Sequence, residues 1–150
     1  MKPPVTIDNL MEMWSKDASV DLTEPARELA KISSLHAKYL QILSHHNLIV
    51  KKLNSDYAKK KAIMFQFYSG DLNDPEELTK HGFTEPMRKK ILRQDVSIYL
   101  DGDEQLINIL LKKALHQEIV DYCSSILKEI NNRTFQLNNI IKWEIFVGGK

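Results

Sequence analysis

The chain has one cysteine, five glycines and five prolines in 150 residues, and these scarcities exclude whole classes of protein. A single cysteine, Cys123, rules out an intrachain disulfide framework and fits a reducing compartment. No apolar run approaches the roughly 20 residues that a membrane span requires. The segment from Met1 to Asp8 lacks the apolar core of a signal peptide. The expectation is a soluble cytoplasmic protein with no membrane partner. Also missing are a Gly-rich phosphate loop, a Gly-x-Ser-x-Gly turn, and paired cysteines or histidines at metal-ligand spacing. His45 and His46 are adjacent and face different ways on a helix, so His46 reads as a core or interface residue. Asp101 and Asp103 lack the further acidic ligands of an EF-hand and read as a helix start. Cys123, between Tyr122 and Ser124, reads as a small buried hydrophobe. No catalytic constellation, metal site or cofactor site emerges.

Glycine and proline are absent from Ala26 to Ser69 and again from Asp103 to Val147. In the first window Ile32, Leu35, Tyr39, Ile42, His46, Ile49 and Leu53 follow a 3-4 spacing, with Tyr57 and Met64 near the same seam. Such a stripe predicts a long helix that associates with other helices. Asp21 and Thr23 suit the approach to its N-terminus and Pro25 its first turn. Helical throughout, it would run about 66 Å. In the second window the stripe is Leu106, Leu110, Leu115, Ile119, Tyr122, Ile126, Ile130, Leu137 and Ile141. Asn131-Asn132-Arg133-Thr134 is weak helix-forming sequence and is expected to bend or split this helix before Gly148-Gly149 ends it. Two long stripes with little other apolar material suggest that much of the burial lies between chains.

The breakers Gly70, Pro75, Gly82, Pro86 and Gly102 fall between the windows. There, Asp74 to Leu78 predicts a capped short helix, and the alternation of Val96 to Leu100 an extended segment. Ile7 to Lys16 predicts a further short helix with Leu10, Met11 and Trp14 on one face. The fold class expected is all-α: two long helices joined by an irregular segment with short helices, in one domain spanning residues 1–150.

Lys+Arg number 21 and Asp+Glu 20, yet the charges lie in blocks. Lys51, Lys52, Lys59, Lys60 and Lys61 form one basic cluster, and Arg88, Lys89, Lys90 and Arg93 another. Acidic blocks run from Asp71 to Glu77, reading as solvated loop, and from Asp101 to Glu104. Tyr57, Phe65, Phe67 and Tyr68 lie beside the first basic cluster, and cations next to aromatics are the chemistry of sequence-tolerant single-strand binding. A lysine run is ordinarily a solvated face and neighbouring aromatics ordinarily core. The residues alone thus support an oligomeric helical protein with two basic patches. A scaffold or adaptor without nucleic-acid binding stays open beside it, as does a small DNA-acting enzyme built on Asp101 to Glu104.

Along nearly its whole length the chain resembles the UvsY family, the recombination mediators of T4-like phages. The likeness lies in Ile7-Asp8-Asn9-Leu10 leading to Trp14-Ser15-Lys16-Asp17, in Phe67-Tyr68-Ser69-Gly70, in Asp121-Tyr122-Cys123, and in the tail Ile145-Phe146-Val147-Gly148-Gly149-Lys150. The resemblance implies a non-enzymatic factor that forms a ring-like homo-oligomer and binds single-stranded DNA. It implies contacts with the phage recombinase and the phage single-strand-binding protein, which it helps displace so that the recombinase loads. Residues 1–102 would then form the DNA-binding part and 103–150 the oligomerisation helix, through Ile119, Tyr122, Ile126, Ile130, Leu137 and Ile141. The family's Lys-Ala-Arg-Leu-Asp-type motif is altered here: counting back from Ser69-Gly70, its arginine falls on Met64 and its lysine on Ala62. Lys59, Lys60 and Lys61 are expected to supply that charge, aided by Arg88, Lys89, Lys90 and Arg93, with Tyr68 at the same site.

Overall fold

Both windows without glycine or proline are continuous helices in the computed structural model, which describes residues 5–149. Met1 to Pro4, part of the opening segment read above, and Lys150, the end of the family-like tail, lie outside the described residues. The order is α1 (Ile7–Asp17), α2 (Pro25–Ser69), α3 (Pro75–Lys80), a 3-10 turn (Arg93–Asp95), α4 (Val96–Asp101) and α5 (Glu104–Gly148). The fold is all-α, with no strand among the described residues.

Local chemistry sets the ends. Thr6 caps α1, its hydroxyl accepting from the Asn9 N–H at 3.2 Å. Ahead of α2, the Asp21 carboxylate accepts from both the N–H and the hydroxyl of Thr23, and Pro25 opens the helix where its missing N–H costs nothing. Gly70 ends α2 at φ +84°, a backbone region closed to most side chains. Helix α3 closes in a Schellman turn through Gly82: the Phe83 N–H donates to the Leu78 carbonyl and the Gly82 N–H to that of Thr79. Asp74 stands at the N-cap of α3, but its side chain makes no capping bond.

The chain falls into two compact units. One comprises the chain up to Leu48 together with residues from Leu115 onward; the other is Ile49–Ala114. In the first, α1 lays Leu10 against Tyr39 of α2 and Ile119, Cys123, Ile126 and Ile130 of α5. Burial pushes the Cys123 thiol up to about 11, so it behaves as a hydrophobe. Polar groups inside this unit are paired across helices. The Tyr39 hydroxyl donates to the Asp17 carboxylate at 2.7 Å, and Lys38 reaches the same group at 2.6 Å. Burial raises the Asp17 carboxyl, but the bonds from Lys38 and Tyr39 outweigh it and hold it below the usual carboxylate range. Arg133, 7% exposed, donates to the carbonyls of Asp17 and Ala18 and lies 5.6 Å from the Trp14 ring centre. It thereby satisfies acceptors that the C-terminus of α1 would leave bare. His46 and His116 face one another, Nδ1 to Nδ1 at 2.9 Å, and the buried Nε2 of His46 has no partner.

The second unit is built around Met64 of α2, Ile91, Val96 and Leu100 of α4, and Leu106 of α5. Phe67 stacks on Phe83 at 4.0 Å with the rings 6° from parallel, so the Schellman turn positions one half of that pair.

Four expectations are corrected. Val96–Leu100 is helical, because Val96 and Leu100, one turn apart, enter the core while Ile98 is left exposed. Met11 is exposed; Leu10, Met13 and Trp14 make the inner face of α1. Leu110 and Leu115 are exposed as well, since the inward register of α5 runs through Leu106, Ile119, Cys123, Ile126, Ile130, Arg133 and Leu137. The helix also continues through Asn131 to Thr134, where the Arg133 bonds to α1 offset a weak local propensity.

Candidate nucleic-acid interface

All the candidate cations belong to the second unit. Lys59, Lys60 and Lys61 lie on α2, where consecutive residues are about 100° apart, so the triplet fans around the helix rather than lining one face. Lys59 is exposed and falls two turns from Lys52, also exposed. Lys60 is half-buried beside the inward seam. Lys61 is exposed, its Nζ 5.8 Å from the centre of the Tyr57 ring one turn earlier. No ion pair engages these three among the described residues.

Arg88 and Arg93 do have acidic partners: Arg88 with Glu85 at 2.5 Å, and Arg93 with Asp71 at 3.6 Å. Both pairs are exposed and therefore worth little, so either arginine can exchange its carboxylate for a phosphate. Lys89 and Lys90 are exposed and without an ion pair among the described residues. The fold thus brings both basic clusters into one unit.

The aromatics divide sharply. Tyr68 is half-buried; its hydroxyl donates at 2.7 Å to Asp103, and its ring tilts against Tyr99 at 5.7 Å. Burial first, then the Asp103 bond, pushes its hydroxyl up to about 12. Asp103 is itself buried and accepts from the Leu106 N–H at 3.0 Å, capping α5. Tyr68 therefore anchors the start of α5. Phe67 is engaged with Phe83. Phe65, expected to pack, is instead 38% exposed.

Met64, the position onto which the family's arginine falls, is 2% exposed and lies in the core of this unit. A cation there would lose its water, so in this register the missing charge has no surface site. Of the residues expected to assemble subunits, Ile119, Ile126, Ile130 and Leu137 are buried inside the chain itself, and Tyr122 and Ile141 are half-buried. The apolar side chains that α5 leaves uncovered are others, among them Leu111, Leu115, Phe135, Trp143, Ile145 and Phe146.

Sequence reasoning missed Arg133, though a signal existed: it stands three residues after Ile130 and four before Leu137, inside the apolar register. It also missed His116 as the partner of His46, and no spacing rule would have paired residues 70 apart. Among the described residues no group of three or more His, Cys, Asp or Glu side chains could hold a metal ion. No helix among the described residues is long and apolar enough to cross a membrane.

Comparison with known proteins identifies the family and the fold. Residues 13–150 match the family described as "Recombination, repair and ssDNA binding protein UvsY". The chain is 28% identical over 148 residues to the recombination protein uvsY of Enterobacteria phage T4, covering 96% of this chain and 98% of that one. Crystal structures of the bacteriophage T4 recombination mediator protein UvsY superpose on it in two lattice types. One has a TM-score of 0.82 over 96% of this chain and 98% of that one, the other 0.77 over 95% and 98%. The identity to these two structures is 19% and 18%, and that likeness speaks to the fold. With all but the first twelve residues matched, the chain belongs to the UvsY family of recombination, repair and single-stranded-DNA-binding proteins.

Proposed function

We propose that this protein is a non-enzymatic recombination mediator acting in the cytoplasm of an infected bacterial cell. It binds single-stranded DNA and promotes loading of the phage recombinase by displacing the phage single-strand-binding protein. The observation that carries this reading is the set of lysines at 59–61, held by α2 with no ion pair among the described residues, in a chain of this family. Lys59, Lys60 and Lys61 neutralise phosphates, and Arg88, Lys89, Lys90 and Arg93 extend the positive surface. Tyr68 supports that surface by fixing the start of α5.

Each subunit contributes a few weak phosphate contacts. Repeating them around a ring-like homo-oligomer makes the later contacts intramolecular, so avidity exceeds one subunit's affinity. The C-terminal helix assembles the ring through its uncovered apolar side chains. Ile119, Ile126, Ile130 and Leu137 hold that helix to its own subunit, and Tyr122 and Ile141 lie at the margin. A strand wrapped on such a surface loosens the hold of another protein without any bond being made or broken.

The test is affinity for oligo-dT as a function of salt. The log–log slope should be about 0.7 per phosphate contacted. The triple variant Lys59→Ala, Lys60→Ala, Lys61→Ala should flatten it while the mass by light scattering stays that of the wild type. An unchanged slope removes these lysines from the site. An oligomer with no salt-sensitive binding at all leaves a helical scaffold in place of a mediator.

A further inference from the structure

Phe65 is the one aromatic of the 57–68 stretch that combines exposure with freedom from a structural task. Tyr57 is half-buried, Phe67 is stacked on Phe83, and Tyr68 holds Asp103. Phe65 keeps 38% of its surface in water although it is large and apolar. On α2 it sits one turn beyond Lys61, which itself sits one turn beyond Tyr57 with its ammonium over the Tyr57 ring. The result is an aromatic–cation–aromatic ladder with about 6 Å of rise per rung, its outer end being Phe65. Ala62, beside that outer rung, is small and exposed, and helical side chains lean toward the N-terminus, over that turn. A flat group can therefore approach the Phe65 ring while an anion beside it meets Lys61.

We propose that Phe65 stacks on a nucleobase of single-stranded DNA while Lys61 holds a neighbouring phosphate. The inference rests on the single-strand reading above and makes Phe65, rather than Tyr68, the base-contacting aromatic. Stacking on a phenyl face is indifferent to base identity, which suits a protein that must act on any sequence. Charge complementarity favours this occupant: an apolar ring flanked by a free ammonium fits a base joined to its phosphate better than it fits a purely apolar partner.

The experiment compares wild type and Phe65→Ala on oligo-dT and on an abasic strand of equal length. Phe65→Ala should lower oligo-dT affinity about tenfold, within the range of one base–aromatic stack, and leave the salt slope unchanged. On the abasic strand the two proteins should bind alike, and Phe65→Tyr should retain wild-type affinity on oligo-dT. The proposal is overturned if Phe65→Ala binds oligo-dT as wild type does, or if it loses as much on the abasic strand. It is equally overturned if the variant changes the mass of the assembly, which would put Phe65 between subunits. Should Phe65→Ala lose its helical signal, Phe65→Leu carries the same comparison, with bulk kept and the π face removed. Wild type that fails to bind either strand overturns the mediator reading itself, an outcome distinct from all of these.

Discussion

The two compact units differ in how certain of their polar side chains are used. In the unit holding α1, two charged groups are satisfied inside the protein: Asp17 by Lys38 and Tyr39, and Arg133 by two backbone carbonyls. In the unit spanning Ile49–Ala114, one part-buried pair, Tyr68 and Asp103, organises the interior, while Lys59, Lys61, Lys89 and Lys90 face water with no ion pair among the described residues. A cation whose hydrogen bonds are used within the fold has none to offer a ligand. Exposed, unpaired cations contribute little to stability and are available to phosphates. The first unit uses these charges to hold its helices together, whereas the second leaves cations exposed.

The largest break in this contrast comes from the interior of the first unit. Ile130 is fully buried, and Ile130→Ala should cost about 2–5 kcal/mol through lost transfer energy and the cavity left behind. Urea unfolding would measure this, and the effect should far exceed that of the lysine triple variant. Next is Arg133→Ala, which removes a charged donor from two carbonyls at the end of α1 and should cost about 1–3 kcal/mol. Amide exchange in α1 should accelerate more than anywhere in the second unit.

Tyr68→Phe sharpens the comparison from the other side. Losing the hydroxyl that donates to buried Asp103 should cost about 1 kcal/mol of stability while oligo-dT affinity stays the same. An affinity loss with unchanged stability would return Tyr68 to the DNA surface. The smallest effect concerns pH. Burial first, and then the neighbouring charges of His116 on α5 and His45 on α2, hold His46 below its ordinary value of 6.5. Between that ordinary value and the depressed folded one, the unfolded chain binds more protons than the folded chain, so stability rises with pH there. It is complete above the unfolded value and is lost as pH falls through the folded one. Urea midpoints at about pH 7.5 and about pH 5.5 should differ in that direction, and His46→Leu should flatten the difference.

Much of the architecture was legible before any coordinates. Two windows without helix breakers became α2 and α5, and Pro25, Gly70 and Gly148 stood where the helices begin or end. The α2 seam faces inward at Tyr39, His46, Leu53 and Met64 as its spacing predicts. Less was legible where segments are short: five residues from Val96 to Leu100 satisfy both a strand's alternation and one turn of helix. Only the neighbouring core selects between them. In α5 apolar residues are dense enough to support more than one stripe, and the stripe through Leu110 and Leu115 was not the inward one.

What the sequence determined by itself was helix, helix length and the location of charge, because propensity, periodicity and ionisation are properties of neighbours along the chain. What only the tertiary structure decided was which groups remain free. Arg133 is withdrawn from the surface by carbonyls more than a hundred residues away, Tyr68 by Asp103, and Phe67 by Phe83. Availability depends on partners brought close by folding, and the tertiary contacts that claim those three side chains leave Lys61 and Phe65 open to solvent.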